Sequence, residues 1–432
     1  MHNKIPLCVR PVIIMAIIML IAQFAFAGDG GSISGVVKPK ISKLSPVTVA
    51  TAPDIIEYTL PEKYSIPFGL AIDSKDRIWF TEMAEHSIAV FDQVTNELKE
   101  YRIPSTVGLP EVDWEYNPKN RSMPEETVTN FSVGSPGNII VDKKGIVWCV
   151  AQLGNSILRF DPVKEEFTEI ILQTPDSRPY DLVSDSKGRI WFVQKNSGSL
   201  GRLDFEKQSL VEISLGAGAN PMAITVDDKD NIWFNDVAYN YIGRYNPEKK
   251  SIRRFQINVP NSQPGDMKFM KDGTLIFSQV SKKQLGVLMP DPGVFSVINI
   301  PGFNAVPQGI LPTNDSRVWM VDSMMNRVGY FNMDKLTWSI FSLPTPNAQP
   351  MVMEADSRGT IWFTESGRDA NRIAVLLPST LPKETVGDDP SSERSKAKRG
   401  PKKGGAGRYT FGLVVAFLLV VGAIAIFRRK GK

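Results

Sequence analysis

Glu82, Asp236, Asp322 and Glu365 each stand three residues after a recurring aromatic or equivalent position, and Ala151, Gln194 and Gln279 hold the same phase elsewhere. Carboxylate oxygens brought from such positions to a common axis would suit Mg²⁺ or Ca²⁺. The alternative is a solvated polar rim that caps strand ends. Asp181 and Asp266 sit two places after recurring prolines, near the same rim. His86 follows Glu82 by four residues, and a histidine beside a carboxylate suits a general base or a ligand. It is the only histidine beyond the first 27 residues, so a two-histidine metal or acid–base site is excluded. The chain has no G-x-S-x-G elbow, Walker loop or Cys/His zinc spacing.

These residues are positioned by a repeat. A strand pattern ending in Ile-Trp-Phe or a variant recurs with its key position at Trp79, Trp148, Trp191, Trp233, Ile276, Trp319 and Trp362, at spacings of 69, 43, 42, 43, 43 and 43. Twelve residues before each stands a proline, at 67, 136, 179, 221, 264, 307 and 350. Each unit reads as an apolar strand, an Asp-headed turn, the Trp strand and two further strands. Four short strands every forty-odd residues predict the blades of a β-propeller. The tryptophans are expected to pack the seams between blades. The seventh unit lacks a fourth strand, and residues 55–61 resemble 98–104, so the N-terminal strand is expected to close the ring. The fold class is all-β, a seven-bladed propeller over 55–377, with a lead segment at 28–54.

In this strand order, the loops before strand one and after strand two open on one face, where ligands are expected. The 26-residue excess between blades 1 and 2 falls on that face. Its Trp114 and Tyr116, among several acids, suit a lid or partner contact. Asn120, Asn130 and Asn314 head Asn-x-Ser sequons and are expected to be exposed if glycosylated.

The ends read as addresses. Lys4 and Arg10 precede an apolar run from Val12 to Ala27 ending Ala-Phe-Ala, the pattern of a signal peptide over 1–27, with an uncleaved anchor as the alternative. Residues 378–408 read as a basic stalk, 409–427 as a transmembrane helix and 428–432 as a cytoplasmic tail. Processing of that end by a sortase-like enzyme is the alternative. The propeller is thus expected outside the cell membrane on a single-pass anchor, with an unidentified extracytoplasmic ligand or protein as partner. Removal of a signal would leave Cys149 as the sole cysteine, so no intrachain disulfide is expected. The chain carries 50 basic and 46 acidic residues, but residues 28–382 hold 36 basic and 42 acidic ones. The excess positive charge belongs to the ends, which excludes nucleic acid as a partner of the body.

The phrase Asp-x-x-x-x-Ile-Trp-Phe-Thr-Glu, at Asp73–Glu82 and again with Asp356–Glu365, resembles the streptogramin B (virginiamycin B) lyases, and more loosely the NHL and SMP-30-type propellers. The resemblance covers roughly residues 55 to 377. It implies a seven-bladed propeller and, in the lyases, a Mg²⁺-dependent elimination that opens a cyclic depsipeptide ester. In those enzymes catalytic histidines follow the blade prolines directly, with a glutamate two residues before one of them. The matching positions here are Phe68, Gly137, Tyr180, Met222, Gly265, Gln308 and Met351, with no acid two places before any of them. The resemblance therefore carries the fold without the lyase acid–base residues. Phe68, Tyr180 and Gln308, with Gln194 and Gln279, become the expected ligand contacts. The expected function is a ligand- or protein-binding propeller; the alternative is a divalent-metal lyase or lactonase using Glu82, Asp236, Asp322 or Glu365.

Overall fold

The structure, a computed structural model, describes residues 32–49, 54–104 and 136–381. The expected signal peptide, the expected stalk beyond Leu381 and transmembrane helix, and the loop with Trp114, Tyr116, Asn120 and Asn130 lie outside the described residues. Among the described residues no helix is long and apolar enough to cross a membrane.

Seven antiparallel sheets form seven blades. Blade 1 runs Pro67–Ile72, Ile78–Glu82, Ser87–Asp92 and Glu97–Arg102 from the inside outward. The same order repeats around the ring. In six blades the inner strand begins at the proline. In blade 4 it is only Ile224–Val226, because Asn235 Oδ1 accepts the backbone N–H groups of Met222 and Ala223 at 2.8 and 2.9 Å. The ring closes as the repeat implied: Ile55–Thr59 pairs with Arg372–Leu376 as the fourth strand of blade 7.

The lead segment holds more structure than its sequence suggested. Ser32–Val36 adds a fifth strand to blade 2, Lys40–Lys43 one to blade 1 and Pro46–Val49 one to blade 7. One segment thus straps three consecutive outer edges, including that of the closing blade. The ring also runs past the expected boundary at Leu377. Pro378–Thr380 forms a 3₁₀ turn in which Thr380 Oγ1 accepts the Asp54 N–H at 2.8 Å, and Leu381 packs on the core.

The core consists of seven apolar clusters, one in each seam. Trp191 lies against Ile224, Ile232 and Tyr245 of blade 4, and Trp362 against Leu70, Phe80 and Phe91 of blade 1 across the closure. Inner strands of neighbouring blades approach closely near the proline. A Cβ at Gly69 would stand 2.6 Å from Gly137 O, and one at Gly309 2.7 Å from Met351 O, so both positions require glycine.

A buried indole N–H needs an acceptor, and the turn aspartate supplies it. Asp185 Oδ2 accepts Trp191 Nε1 at 2.8 Å and Arg189 Nε at 2.6 Å, while its Oδ1 accepts the N–H groups of Lys187 and Arg189 at 3.0 Å. The same bond links Asp73 to Trp79 at 3.0 Å, Asp142 to Trp148 at 2.9 Å and Asp227 to Trp233 at 2.9 Å. One carboxylate closes the turn and anchors the seam residue. Asp185→Asn is expected to destabilise the chain by about 2 kcal/mol or more, since hydrogen bonds to charged groups each contribute roughly 1.5–3 kcal/mol. In urea unfolding, Asp185→Asn combined with Trp191→Phe should cost clearly less than the two single changes summed, because both remove one bond.

Candidate functional site

The loop entering each blade and the turn after its second strand gather on one face. In every blade that turn contains a residue in the left-handed region: His86 at φ +52°, Asn155 at +54°, Gly198 at +60°, Asn240 at +57°, Lys283 at +56°, Asn326 at +53° and Asn371 at +48°. The carbonyl of each accepts the backbone N–H just after the fourth strand, as Ile103 N–H reaches His86 O at 2.8 Å. The asparagines do more. Asn240 Oδ1 accepts Ser262 N–H and Oγ at 2.9 and 2.8 Å, and its Nδ2 donates to Val259 O at 2.9 Å. His86 therefore occupies a turn position that most blades fill with asparagine or glycine.

The carboxylates expected at a solvated rim are instead buried. Glu82, Asp236, Asp322 and Glu365 are all 0% exposed, and Gln194 and Gln279 are buried with them. Asp236, Asp322 and Glu82 serve their own turns. Asp236 Oδ1 accepts the N–H of Asn220 at 3.2 Å and of Tyr239 at 3.0 Å. Asp322 binds Arg327 at 2.8 Å and caps Val306 N–H at 2.9 Å. Glu82 Oε2 accepts Ser87 Oγ at 2.8 Å, leaving Oε1 without a partner. Neither oxygen of Glu365 has a hydrogen-bond partner. It lies near Glu57, whose carboxylate is held by Arg372 at 2.9 Å and by Thr345 N–H at 3.0 Å. The four groups are not brought to one axis, and their donor set does not fit a shared Mg²⁺ or Ca²⁺. Among the described residues no group of three or more His, Cys, Asp or Glu side chains could hold a metal ion.

Burial, followed by the neighbouring Glu100, pushes Glu82 up to about 8. Burial, followed by Glu57, pushes Glu365 up to about 9. Both carboxyls are thus held protonated at neutral pH, which suits the seam but leaves no charge for a cation.

Asp181 and Asp266, expected near the rim, lie deeper, on the channel side of the inner strands, together with Lys268 and Glu354, which the sequence did not single out. Lys268 Nζ of blade 5 donates to Glu354 Oε1 of blade 7 at 2.6 Å. Asp181 takes Asn138 Nδ2 and Ile224 N–H at 3.0 Å each, and Asp266 takes Ile310 N–H at 2.9 Å. These carboxylates staple blade 3 to blade 4 and blade 5 to blade 6. Lys268 and Glu354 pair with Ile276 and Trp362, a position where other blades carry Ala71, Ile140, Val183, Thr225 or Leu311. Two charges in an otherwise uncharged slot were the signal available.

The residues after the prolines form the mouth. Phe68, Tyr180, Met222, Gln308 and Met351 are all partly exposed there. Lys195 Nζ stands 5.4 Å from the centre of the Tyr180 ring. Beside it, between blades 3 and 4, opens a cleft of about 510 Å³ lined by Thr174, Asp176, Lys195, Asn196, Ser197 and Asn220, with Gly218 and Ala219. Further round the face, Phe303 is 91% exposed and Met324 is also exposed. Asn314 lies on the opposite face, exposed in the turn between the first two strands of blade 6.

The virginiamycin B lyase family model matches residues 122–386, more than half of the chain. The chain belongs to that family. Among solved structures it is similar to a streptogramin B lyase, at 24% identity and a TM-score of 0.64, covering 75% of this chain and 97% of that one. A virginiamycin B lyase from Staphylococcus aureus, crystallised in catalytically inactive form with quinupristin, aligns at 23% identity and a TM-score of 0.63 over 75% of this chain and 99% of that one. An extracellular domain of a hybrid two-component system from B. thetaiotaomicron aligns at 15% identity and a TM-score of 0.51, over 80% of this chain and 44% of that one. At these identities the likeness establishes the fold. No curated protein sequence matches the chain.

The raised carboxyls set a pH dependence. Each binds its proton more tightly when folded than unfolded, so folding is penalised once the unfolded carboxyl ionises. Stability should fall as pH rises from about 4.5 through about 9 and level off above that. Glu365→Gln keeps a neutral group of the same shape. It should leave the melting temperature unchanged near pH ~4 and raise it above about pH 8, as scanning calorimetry across pH would read.

Proposed function

We propose that the chain is a membrane-tethered extracytoplasmic propeller that binds a ligand or protein through its open face. The observation that carries this reading is the composition of the mouth. Where the lyases carry histidines, this chain places Phe68, Tyr180, Met222, Gln308 and Met351. Partly exposed aromatic, thioether and amide groups on a rigid ring form a surface for contact and hydrogen bonding. None of them is a proton donor or acceptor tuned for chemistry near neutral pH. The overlap with an extracellular domain favours an outward-facing ring. The apolar run at 411–427 with Arg428, Arg429 and Lys430 behind it favours a single-pass tether, and the N-terminal apolar run favours export.

The strand order also supports an orientation. Arg372–Leu376 runs from the open face to the opposite one, so the chain leaves the ring toward its tether on the side away from the mouth. A membrane-anchored ring would then present its mouth outward. The metal-dependent lyase or lactonase reading has less support, because Glu82, Asp236, Asp322 and Glu365 are buried in separate turns.

The test is binding of solubilised envelope components to the purified full chain, followed by native mass spectrometry. Tyr180→Ala with Gln308→Ala should lose the bound species while still unfolding in one cooperative transition. Its melting temperature should be lowered, because Tyr180 also packs on the seam. Val94→Ser on the opposite face should retain the bound species. Equal recovery by the mouth variant would remove the reading. A Mg²⁺-induced rise in melting temperature abolished by Glu82→Gln or Glu365→Gln would favour the lyase alternative instead.

A further inference from the structure

The cleft between blades 3 and 4 combines a built volume, a hydroxyl- and amide-rich wall and a fixed aromatic lip. It is a shallow cleft of about 510 Å³, open along one side, within the roughly 300–1,000 Å³ that small-ligand sites span. Thr174 and Ser197 have given their hydroxyl protons to Glu212 and Gln194, and Asn196 Nδ2 donates to Asp176 Oδ2 at 3.2 Å. The wall therefore offers the remaining acceptor oxygens of these groups together with the amides of Asn196 and Asn220. At the lip, Tyr239 donates its hydroxyl to Ala217 O at 2.6 Å while the residue stays 53% exposed. The loop beneath it runs Gly216-Ala217-Gly218-Ala219, with φ of +117° and +76° at the two glycines. A Cβ at Gly218 would stand 3.3 Å from the Tyr239 hydroxyl oxygen, so ring and loop are in contact. The hydroxyl end of the ring is thereby pinned against the Ala217-Gly218 backbone beside the cleft, and half of the residue stays open to solvent.

Two polar atoms beside the cleft have no partner. Asn220 Oδ1 is buried without a hydrogen bond, and so is Nε2 of Gln194, whose Oε1 accepts Ser197 Oγ at 3.0 Å. Lys195 Nζ makes no ion pair among the described residues and rests over the Tyr180 ring.

We propose that this cleft is a saccharide-binding subsite. Tyr239 is the platform for a sugar ring, and Lys195 faces a carboxylate substituent on the sugar. A pyranose presents C–H groups on its face and hydroxyls at its edge. The face gains by lying on an aromatic ring, and a ring whose hydroxyl is already bonded loses little freedom in receiving it. The edge needs neighbours that donate and accept, here the asparagine amides and the acceptor oxygens of Thr174 and Ser197. An extended peptide would instead seek apolar side-chain pockets, and here the apolar lining is limited to Pro175 and Ala219. The proposal rests on the open face being the binding surface and adds the ligand class.

The purified full chain is applied to an array of hexose, amino-sugar and uronic-acid oligomers, and cellotriose, chitotriose and trigalacturonic acid are titrated by calorimetry and saturation-transfer NMR. The expected result is binding of at least one oligomer, with saturation transferred to its ring C–H protons. Tyr239→Ala should weaken that binding about tenfold or more, and Tyr239→Phe should retain most of it, both at unchanged melting temperature. Lys195→Met should weaken the uronic-acid oligomer alone. No binding anywhere on the array, or binding unchanged in Tyr239→Ala, overturns the saccharide assignment. An acidic oligomer indifferent to Lys195→Met overturns the carboxylate contact. Neither result touches the open-face reading, which the Tyr180 and Gln308 variants decide without a sugar probe.

Discussion

An indole N–H buried between two sheets must find an acceptor, and this ring answers with an aspartate six residues upstream. The carboxylate has two oxygens and uses both. One closes the turn that reverses the chain, and the other fixes the tryptophan that fills the seam. In blade 3 the bonds are 3.0 Å to Lys187 N–H and 2.8 Å to Trp191 Nε1, so a local turn and a long-range contact share one side chain. The coupling is visible where it lapses. Blade 5 has Ile276 at the seam and Met270 in the aspartate's place, so indole and carboxylate disappear together. Blade 6, in contrast, keeps Trp319 with Thr313 in that place, and the bond itself belongs to blades 1 to 4. Blade 7 keeps both, but Asp356 turns to Arg358 and Gln93 at the closing seam, and Trp362 Nε1 is left without a partner. The closing seam gives up its tie for contacts between first and last blade, such as Ser357 N–H to Asp76 at 2.9 Å.

The repeat was legible because its determinants are local and periodic. Pro67 and Trp79 recur in step because each blade solves one packing problem the same way, so blade number followed from spacing, and closure by 55–59 from the missing fourth strand and the likeness of 55–61 to 98–104. What escaped were features without a period. Residues 32–49 pair by backbone hydrogen bonds with outer strands, and backbone pairing leaves little trace in side-chain pattern. The candidate site divides along the same line. That Glu82 and Glu365 share a phase was readable; that the phase faces the seam was not, since the end of a strand can point to solvent or to a neighbour with the same spacing. Glutamate at that phase resembles a ligand until its burial is known.

That burial changes what the carboxyls contribute. A rim of ionised acids would have given the mouth a negative field suited to metal or cationic ligands. With Glu82 and Glu365 protonated and Asp322 neutralised by Arg327, the mouth is instead shaped by uncharged groups: Phe68, Tyr180, Met222, Gln308 and Met351. The acidic side chains that remain deep in the ring, Asp181 and Asp266, are bound to backbone N–H groups of the next blade and to the field of Lys268. Charge deep in the ring is thus used to hold blades together, and recognition at the surface is left to shape, aromatic area and hydrogen bonding, with Lys195 over Tyr180 as the charge beside the mouth.

The distribution of the strap fits this division. Blades 7, 1 and 2 each carry a fifth strand from residues 32–49, and Lys40 ties that segment to Glu62 and Glu100 beside the closing seam. A ring closed without covalent linkage is weakest at its closure, and there the added strands both protect edges and span the joint. Among the described residues, blades 3 to 6 have four strands and no such cover. The cleft and its glycine loop lie on blades 3 and 4, away from the strap. Gly216 and Gly218 give that loop backbone conformations unfavourable to most residues, and Tyr239 restores order by bonding Ala217 O. Rigidity comes from packing and added strands at the closure, and from one pinned aromatic ring at the cleft. A binding surface built this way keeps its shape through the scaffold and adjusts through short loops, so changes to loop chemistry can alter what is bound without loosening the ring.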